Sequence, residues 1–388
     1  MRERERERER ESSTCNTIAF AMADNTPLNR RAWSGTPYST YSELKKYFDV
    51  EIIQINSPLW LKGFSFFNIV LSKLMGKGGL GFNNIATRYR SSILDKELKK
   101  NYSNVQAVFA IGMDIIADIK TDVPIVYLSD TVFSIMLDYY WYNVSKHTIN
   151  AGNKMQKNAL DKASAVILSS NWAKEGAITD YQTNIEKIHM IQFGPNHPCL
   201  TKPTTRSCND DNIRLLFVGV DWKRKGLDVA IECVNFLNTL NDGKRYTLDV
   251  IGCSASGYES TETITIHKFI PDSEMEMFYR KSHIFILPTR AECAGIVFCE
   301  AASYGLPTIT YDTGGTSDYV VDGKTGYTLP LTSTGKDFAN KICALIQDTE
   351  EYEKMVINSR DRYETTLNWD VWGVKVRDII NNLISDTL

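Results

Sequence analysis

Two glutamates, Glu292 and Glu300, bracket the segment Cys293-Ala294-Gly295-Ile296-Val297-Phe298-Cys299. Ahead of them, His283-Ile284-Phe285-Ile286-Leu287-Pro288 reads as a short buried strand. Behind them, Phe298 to Tyr304 reads as a helix stopped by Gly305. One carboxylate therefore sits on a strand-to-helix loop and the other about one turn inside the helix. The amides of Gly295, Ile296 and Val297 start that helix without intrahelical partners, and a helix N-terminus beside a glycine is a ready anion site. The arrangement suits a ligand carrying a diphosphate, a ribose diol and a third group near Glu292. The plainer alternative is a chance pair in which Glu300 is an ordinary solvated helix residue. The next segment favours the first reading. Gly305-Leu306-Pro307-Thr308-Ile309-Thr310-Tyr311 is another strand, and it runs into a second glycine loop, Asp312-Thr313-Gly314-Gly315-Thr316-Ser317. Ligands of open α/β sheets bind at that end of the strands.

The elements that position these residues alternate strand and helix along the chain, which points to α/β architecture with parallel sheets. In the first half, Thr17 to Met22, Val50 to Ile55, Val105 to Ile111, Pro124 to Leu128, Ala163 to Leu168 and Ile188 to Phe193 read as strands. A glycine-bearing loop, Trp33-Ser34-Gly35-Thr36-Pro37, follows the first of them. The polar stretch 201–212 is the best linker. The second half restarts with Leu215-Leu216-Phe217-Val218-Gly219, a loop, and a helix from Gly226 to Leu240. Strands near 246–251, 264–270, 284–287, 307–311 and 326–329 follow, then helices near 335–347 and 350–361. The last segment, Trp369 to Leu383, is amphipathic, with Trp372, Val376, Ile379, Ile380 and Leu383 on one face. Two doubly wound domains facing across a cleft are expected, and such a cleft suits a two-substrate enzyme.

The bulk composition narrows the class. The chain has 388 residues, enough for two domains, and its hydrophobic content of 43% allows a large core. Lysine and arginine total 44 against 47 aspartates and glutamates, a balance that argues against a nucleic-acid partner. No apolar run is long enough for a transmembrane helix, and no secretory segment is read at the N-terminus. The eight cysteines lack C-x-x-C spacing and the five histidines are scattered, so no metal site is expected. Reduced thiols of a cytoplasmic protein are the expectation. Residues 1–15 open with an Arg-Glu alternation, expected to be a disordered charged tail.

In this setting the chain resembles a retaining glycosyltransferase of family 4, among the glycosyl transferases group 1, with the GT-B fold. The likeness covers most of the chain after about residue 15 and is strongest from Arg214 to Tyr327. Phe217-Val218-Gly219 followed by Lys225-Gly226 is similar to the family's VGR…KG element. Glu292 to Glu300 resembles its E-G-F-G-x-x-x-x-E element, and Gly305-Leu306-Pro307 with Gly314-Gly315 its G-x-P…GG element. Gly323-Lys324-Thr325-Gly326 resembles its dG-x-tG turn, and Asn368-Trp369-Asp370 the start of its final helix.

The resemblance implies two Rossmann-like domains, 16–204 for the acceptor and 205–366 for the nucleotide-sugar donor, with a C-terminal helix at 367–388 crossing back to the first. It implies transfer of a sugar from a nucleoside-diphosphate sugar, with retention, to a glycan, lipid-linked or small-molecule acceptor, with no cofactor and no metal. Glu300 would take the ribose hydroxyls, while Gly295, Ile296 and Val297 would give backbone N–H bonds to the diphosphate or sugar. Ile270 would lie where the family makes backbone contacts to the base. Lys225 would neutralise the leaving diphosphate, with Arg224 replacing an arginine that the family carries where this chain has Val220 and Asp221. Glu292 would lie beside the transferred sugar, and Gly35 would let backbone approach the diphosphate. Where many members carry a histidine, this chain has Asp130, which is read either as a sugar-facing group or as the N-cap of a helix beginning at Thr131. A catalytically silent sugar-nucleotide-binding or scaffolding protein is the alternative from another class.

Two further signals have dull counterparts. Residues 76–81 match G-x-G-x-x-G, but the motif needs a strand directly before it, so a loop between helices is favoured over an NAD site. Residues 60–77 are apolar with lysines at 62, 73 and 77. They could lie on a membrane as a peripheral contact at its inner face. A helix packed on the first sheet is the favoured reading.

Overall fold

The computed structural model describes residues 16–74, 77–78, 82–199, 201, 206–240, 242–253, 258–268 and 270–386. The charged tail at 1–15 and most of the 76–81 glycine motif lie outside them. The described chain divides into two compact units. The first comprises residues up to Leu168, Lys174–Ile191 and those from Gly373 onward, and the second comprises Ser169–Ala173 and Gln192–Trp372. The described part of the 201–212 stretch groups with the second unit.

The first unit is built on six parallel strands: β1 (Thr17–Ala23), β2 (Asp49–Ile55), β3 (Ala107–Ile111), β4 (Ile125–Ser129), β5 (Ala165–Leu168) and β6 (Ile188–Met190), in the order β2-β1-β3-β4-β5-β6. Interior strands such as Ala165–Leu168 are buried at every residue, which is why they appear in the sequence as unbroken apolar runs. The edge strand β2 instead buries only Ile53 and Ile55. Side-chain caps set the starts of the flanking helices. Asn83 accepts from the Ala86 amide at 2.7 Å ahead of Asn84–Lys100, and Ser145 from the Thr148 amide at 3.2 Å ahead of Lys146–Lys162. The helix Leu59–Leu74 buries Leu61 and leaves Leu59, Trp60, Phe66 and Phe67 exposed.

The second unit repeats the plan with β7 (Asn212–Val218), β8 (Arg245–Ile251), β9 (Ile264–His267), β10 (Ile284–Leu287), β11 (Thr308–Tyr311) and β12 (Gly326–Leu329). Their order is β12-β11-β10-β7-β8-β9, all parallel. This is the doubly wound arrangement whose strand order reverses between β7 and β10, the place where such sheets bind ligands. The final helix, Trp369–Ser385, begins in residues of the second unit and continues in the first. There Val376, Ile380 and Ile384 are buried. Gly373 lies so close to Tyr47 and Glu43 that a Cβ would come within 3.1 and 3.2 Å of them.

Candidate functional site

The loops after β7 and β10 meet at the reversal point of the second sheet. Past β7, the Asp221 side chain caps the short turn Trp222–Lys225 by accepting from the Arg224 amide at 3.2 Å. Gly226 then turns the chain with φ +74°, where a Cβ would lie 2.0 Å from the Pro288 carbonyl oxygen at the end of β10. Only glycine allows that approach. The Arg290 amide donates to the Arg224 carbonyl at 2.7 Å and fixes the two loops side by side.

The result is an ion pair between Lys225 Nζ and Glu292 Oε2, residues 67 apart in sequence. Both residues are over nine-tenths buried, at 9% and 8% exposure. Arg224 places Nη1 3.9 Å from the same Glu292 oxygen and donates to the Ala291 carbonyl at 2.9 Å. The carboxylate thus lies between two cations. Sequence reasoning named all three residues but not their pairing.

The next residues form the start of the helix Ile296–Ser303. Its N-cap is Gly295 in the left-handed region, and no side chain caps it. A Cβ on Gly295 would lie 2.5 Å from the Phe298 ring and 3.2 Å from Glu292 Cγ. The Gly315 amide, in the glycine loop after β11, donates to the Glu292 carbonyl at 3.0 Å. A Cβ on Gly315 would meet the Cys293 oxygen at 2.0 Å, so this glycine seats the loop that carries Glu292.

Glu300 is not a solvated helix residue. It is buried, its Oε2 accepts from the Tyr279 hydroxyl at 2.5 Å, and its Oε1 accepts from the Asn196 amide at 3.3 Å. Burial raises its pKa, an effect opposed by the nearby His197 and by the hydrogen bonds from Tyr279, Asn196 and His197. Tyr279 in turn stacks on Tyr304, with ring centroids 5.0 Å apart. The sequence did not single out Tyr279 or Asn196. Tyr279 shares a stripe with Met275 and Phe278 on the helix Asp272–Lys281, and such a stripe reads as core. Ile270 is half-buried between β9 and that helix.

In the first unit, Gly35 has φ +81° and opens the helix Thr36–Leu44. Trp33 and Ser34 before it are also left-handed, at φ +41° and +51°, which sequence alone does not mark. The Trp33 indole N–H donates to Asp130 at 3.3 Å. Asp130 does not cap a helix at Thr131, as one sequence reading held. The next helical turn is Ser134–Met136, and its N-cap is Phe133. Asp130 instead ties the end of β4 to the Gly35 loop. Gly78, from the 76–81 motif, follows a helix rather than a strand, and its amide donates to the Asn143 carbonyl at 2.8 Å.

Against this geometry, residues 204–362 match the family model described as glycosyl transferases, group 1. This stretch is a glycosyl transferases group 1 domain. The group 1 domain contains Lys225, Glu292, Gly295 and Glu300. The chain is 25% identical over 253 residues to a capsular polysaccharide biosynthesis glycosyltransferase of Staphylococcus aureus, covering 60% of this chain and 65% of the relative. It is 25% identical over 224 residues to an alpha-D-kanosaminyltransferase of Streptomyces kanamyceticus, covering 53% and 56%. The chain therefore spans less than two thirds of these curated relatives. Among solved structures it is similar to a sucrose-phosphate synthase from Thermosynechococcus elongatus, with TM-score 0.69 at 14% identity, covering 96% of this chain and 100% of that one. This likeness and the two parallel sheets show the GT-B fold.

Proposed function

We propose that the chain transfers a sugar, with retention of anomeric configuration, from a nucleoside-diphosphate sugar to a glycan, lipid-linked or small-molecule acceptor. The observation that carries this reading is the Lys225–Glu292 pair set beside the uncapped helix start at Gly295, at the reversal point of a parallel sheet. The group 1 match and relatives named as glycosyltransferases support it.

In this reading the amides from Gly295 to Val297 hold the diphosphate or the sugar. As the anomeric C–O bond breaks, negative charge grows on the departing diphosphate. Lys225 and Arg224 are the cations available to stabilise it. Glu292, drawn off Lys225 by the incoming phosphate, turns to the sugar hydroxyls or to positive charge at the anomeric carbon. The acceptor hydroxyl attacks on the face the diphosphate leaves and gives its proton to a departing phosphate oxygen. Glu300 exchanges its protein partners for the ribose hydroxyls, which a carboxylate can accept in pairs.

Calorimetric titration with UDP, GDP and ADP, each without metal, tests the donor half. One nucleoside diphosphate binds, and Glu300→Ala weakens it by about tenfold to a hundredfold, the range for hydrogen bonds to a charged group. Unchanged affinity in Glu300→Ala would show the donor assignment to be wrong. Binding without donor hydrolysis or transfer would leave a sugar-nucleotide-binding protein.

A further inference from the structure

The first unit carries a surface that neither the fold nor the transfer reaction uses. On the helix Leu59–Leu74, Leu59 is 87% exposed, Trp60 59%, Phe66 67% and Phe67 60%. The spacing 59, 60, 63, 66, 67 places them on one helical face, with Gly63 between. Leu61 on the opposite side is buried and anchors the helix. Aromatic side chains repeated on an exposed face mark a contact surface.

That face continues onto a basic one. The Trp60 ring meets the Tyr89 ring of the helix Asn84–Lys100 edge-on, with centroids 6.0 Å apart. Tyr89 lies on the same stripe of that helix as Arg88, Lys96, Lys99 and Lys100, and Ile85 on the stripe is 51% exposed. Arg88 and the three lysines, with Lys120, line a groove of about 940 Å³. Among the described residues the groove has two carboxylates, and both are engaged. Asp95 accepts from the Lys120 amide at 3.0 Å, and Asp118 lies 3.9 Å from Arg88. Lys96, Lys99, Lys100 and Lys120 form no side-chain ion pair among the described residues. Positive charge is therefore concentrated here on a chain whose net charge is −3.

We propose that this composite face docks on an anionic lipid bilayer. Trp60, Phe66 and Phe67 enter the headgroup–acyl boundary while the basic stripe meets lipid phosphates. The pairing of aromatics with lysines is that of an interfacial helix, and basic residues bind anionic surfaces additively. No described helix is long and apolar enough to cross a membrane, so the contact is peripheral. The inference does not rest on the transferase reading.

Co-sedimentation of the full chain with phosphatidylcholine vesicles, and with vesicles in which about a third of the lipid is phosphatidylglycerol, tests it. The chain is expected to bind the anionic vesicles alone, and less at about 1 M salt, where screening is short-ranged. The triple variant Lys96→Glu, Lys99→Glu, Lys100→Glu loses about a hundredfold or more in partition, and Trp60→Ser with Phe67→Ser loses the part that persists in salt. All these positions are exposed, and unchanged circular dichroism melting confirms that the variants fold. Equal binding to both vesicle types, or wild-type binding by the lysine variant, overturns the proposal. So does an absence of vesicle binding together with a concentration-dependent dimer abolished by Trp60→Ser and Phe67→Ser, which would assign the face to a second copy of the chain.

Discussion

At the scale of single residues, the site is defined by how two carboxylates are held. Glu292 is paired with Lys225 where both are nearly buried. Removing one charge from such a pair leaves the other uncompensated, at a cost of about 3–5 kcal/mol. Glu292→Gln is therefore expected to lower the melting temperature by roughly 10 °C, and adding Lys225→Met should recover part of the loss. In the proposed reaction the same Glu292→Gln would free Lys225 for phosphate, so nucleoside diphosphate affinity should hold or improve while turnover falls about a hundredfold. Titration and steady-state rates together check that split. Glu300 behaves differently because burial raises its pKa above the ordinary 4.5. A carboxyl that binds its proton more tightly when folded contributes stability that is fully present below its unfolded pKa and lost as pH rises through the raised value. Stability of the native chain should thus fall over that window, and Glu300→Gln should flatten the fall in a series of thermal melts. If Glu300 takes the ribose hydroxyls as proposed, they donate to its ionised form, and nucleotide affinity should weaken as pH drops through the same window.

At the scale of elements, the decisive device is a glycine at a helix start. Gly295 and Gly323 share left-handed φ values of +74° and +67°, but a Cβ on Gly295 would strike the Phe298 ring while one on Gly323 would meet nothing within 4 Å. Gly323→Ala should cost about 1 kcal/mol for backbone conformation alone and leave nucleotide binding intact. Gly295→Ala should cost more and abolish binding, because either Phe298 or the Glu292 loop must move. Denaturant unfolding and titration of both variants separate the two effects. These loops were legible in sequence because strands buried on both faces, such as Ile284–Leu287, appear as short apolar runs, and glycines beside them mark the loops. What stayed hidden was long-range. The Tyr279 bond to Glu300 lies within an ordinary amphipathic stripe, the Lys225–Glu292 pair spans 67 residues, and the Trp33–Asp130 bond spans 97. No local pattern encodes such a partner, and the exposed face of the helix Leu59–Leu74 has the same composition as a buried one.

At the scale of the whole molecule, two units with separate sheets and separate cores are joined by a chain whose last helix ends in the first. A ligand that binds only folded protein raises stability in proportion to the logarithm of its concentration over Kd. In the proposed reading Lys225, Arg224, Glu292, Gly295 and Glu300, all in the second unit, hold the donor, so a nucleoside diphosphate at a hundred times its Kd should add about 2.7 kcal/mol to that unit's unfolding. Chelation with EDTA should remove none of it, since the proposed chemistry draws its positive charge from Lys225 and Arg224. The final helix provides the complementary probe. Ile380 is fully buried in the first unit, and Ile380→Ala should cost about 2–5 kcal/mol there through lost burial and the cavity left behind. Scanning calorimetry of the native and Ile380→Ala proteins, each with and without nucleotide, reads both effects in one experiment. The variant should lower one transition and the nucleotide raise the other. A nucleotide that raises the transition lowered by Ile380→Ala, and leaves the other in place, would move the donor site out of the second unit.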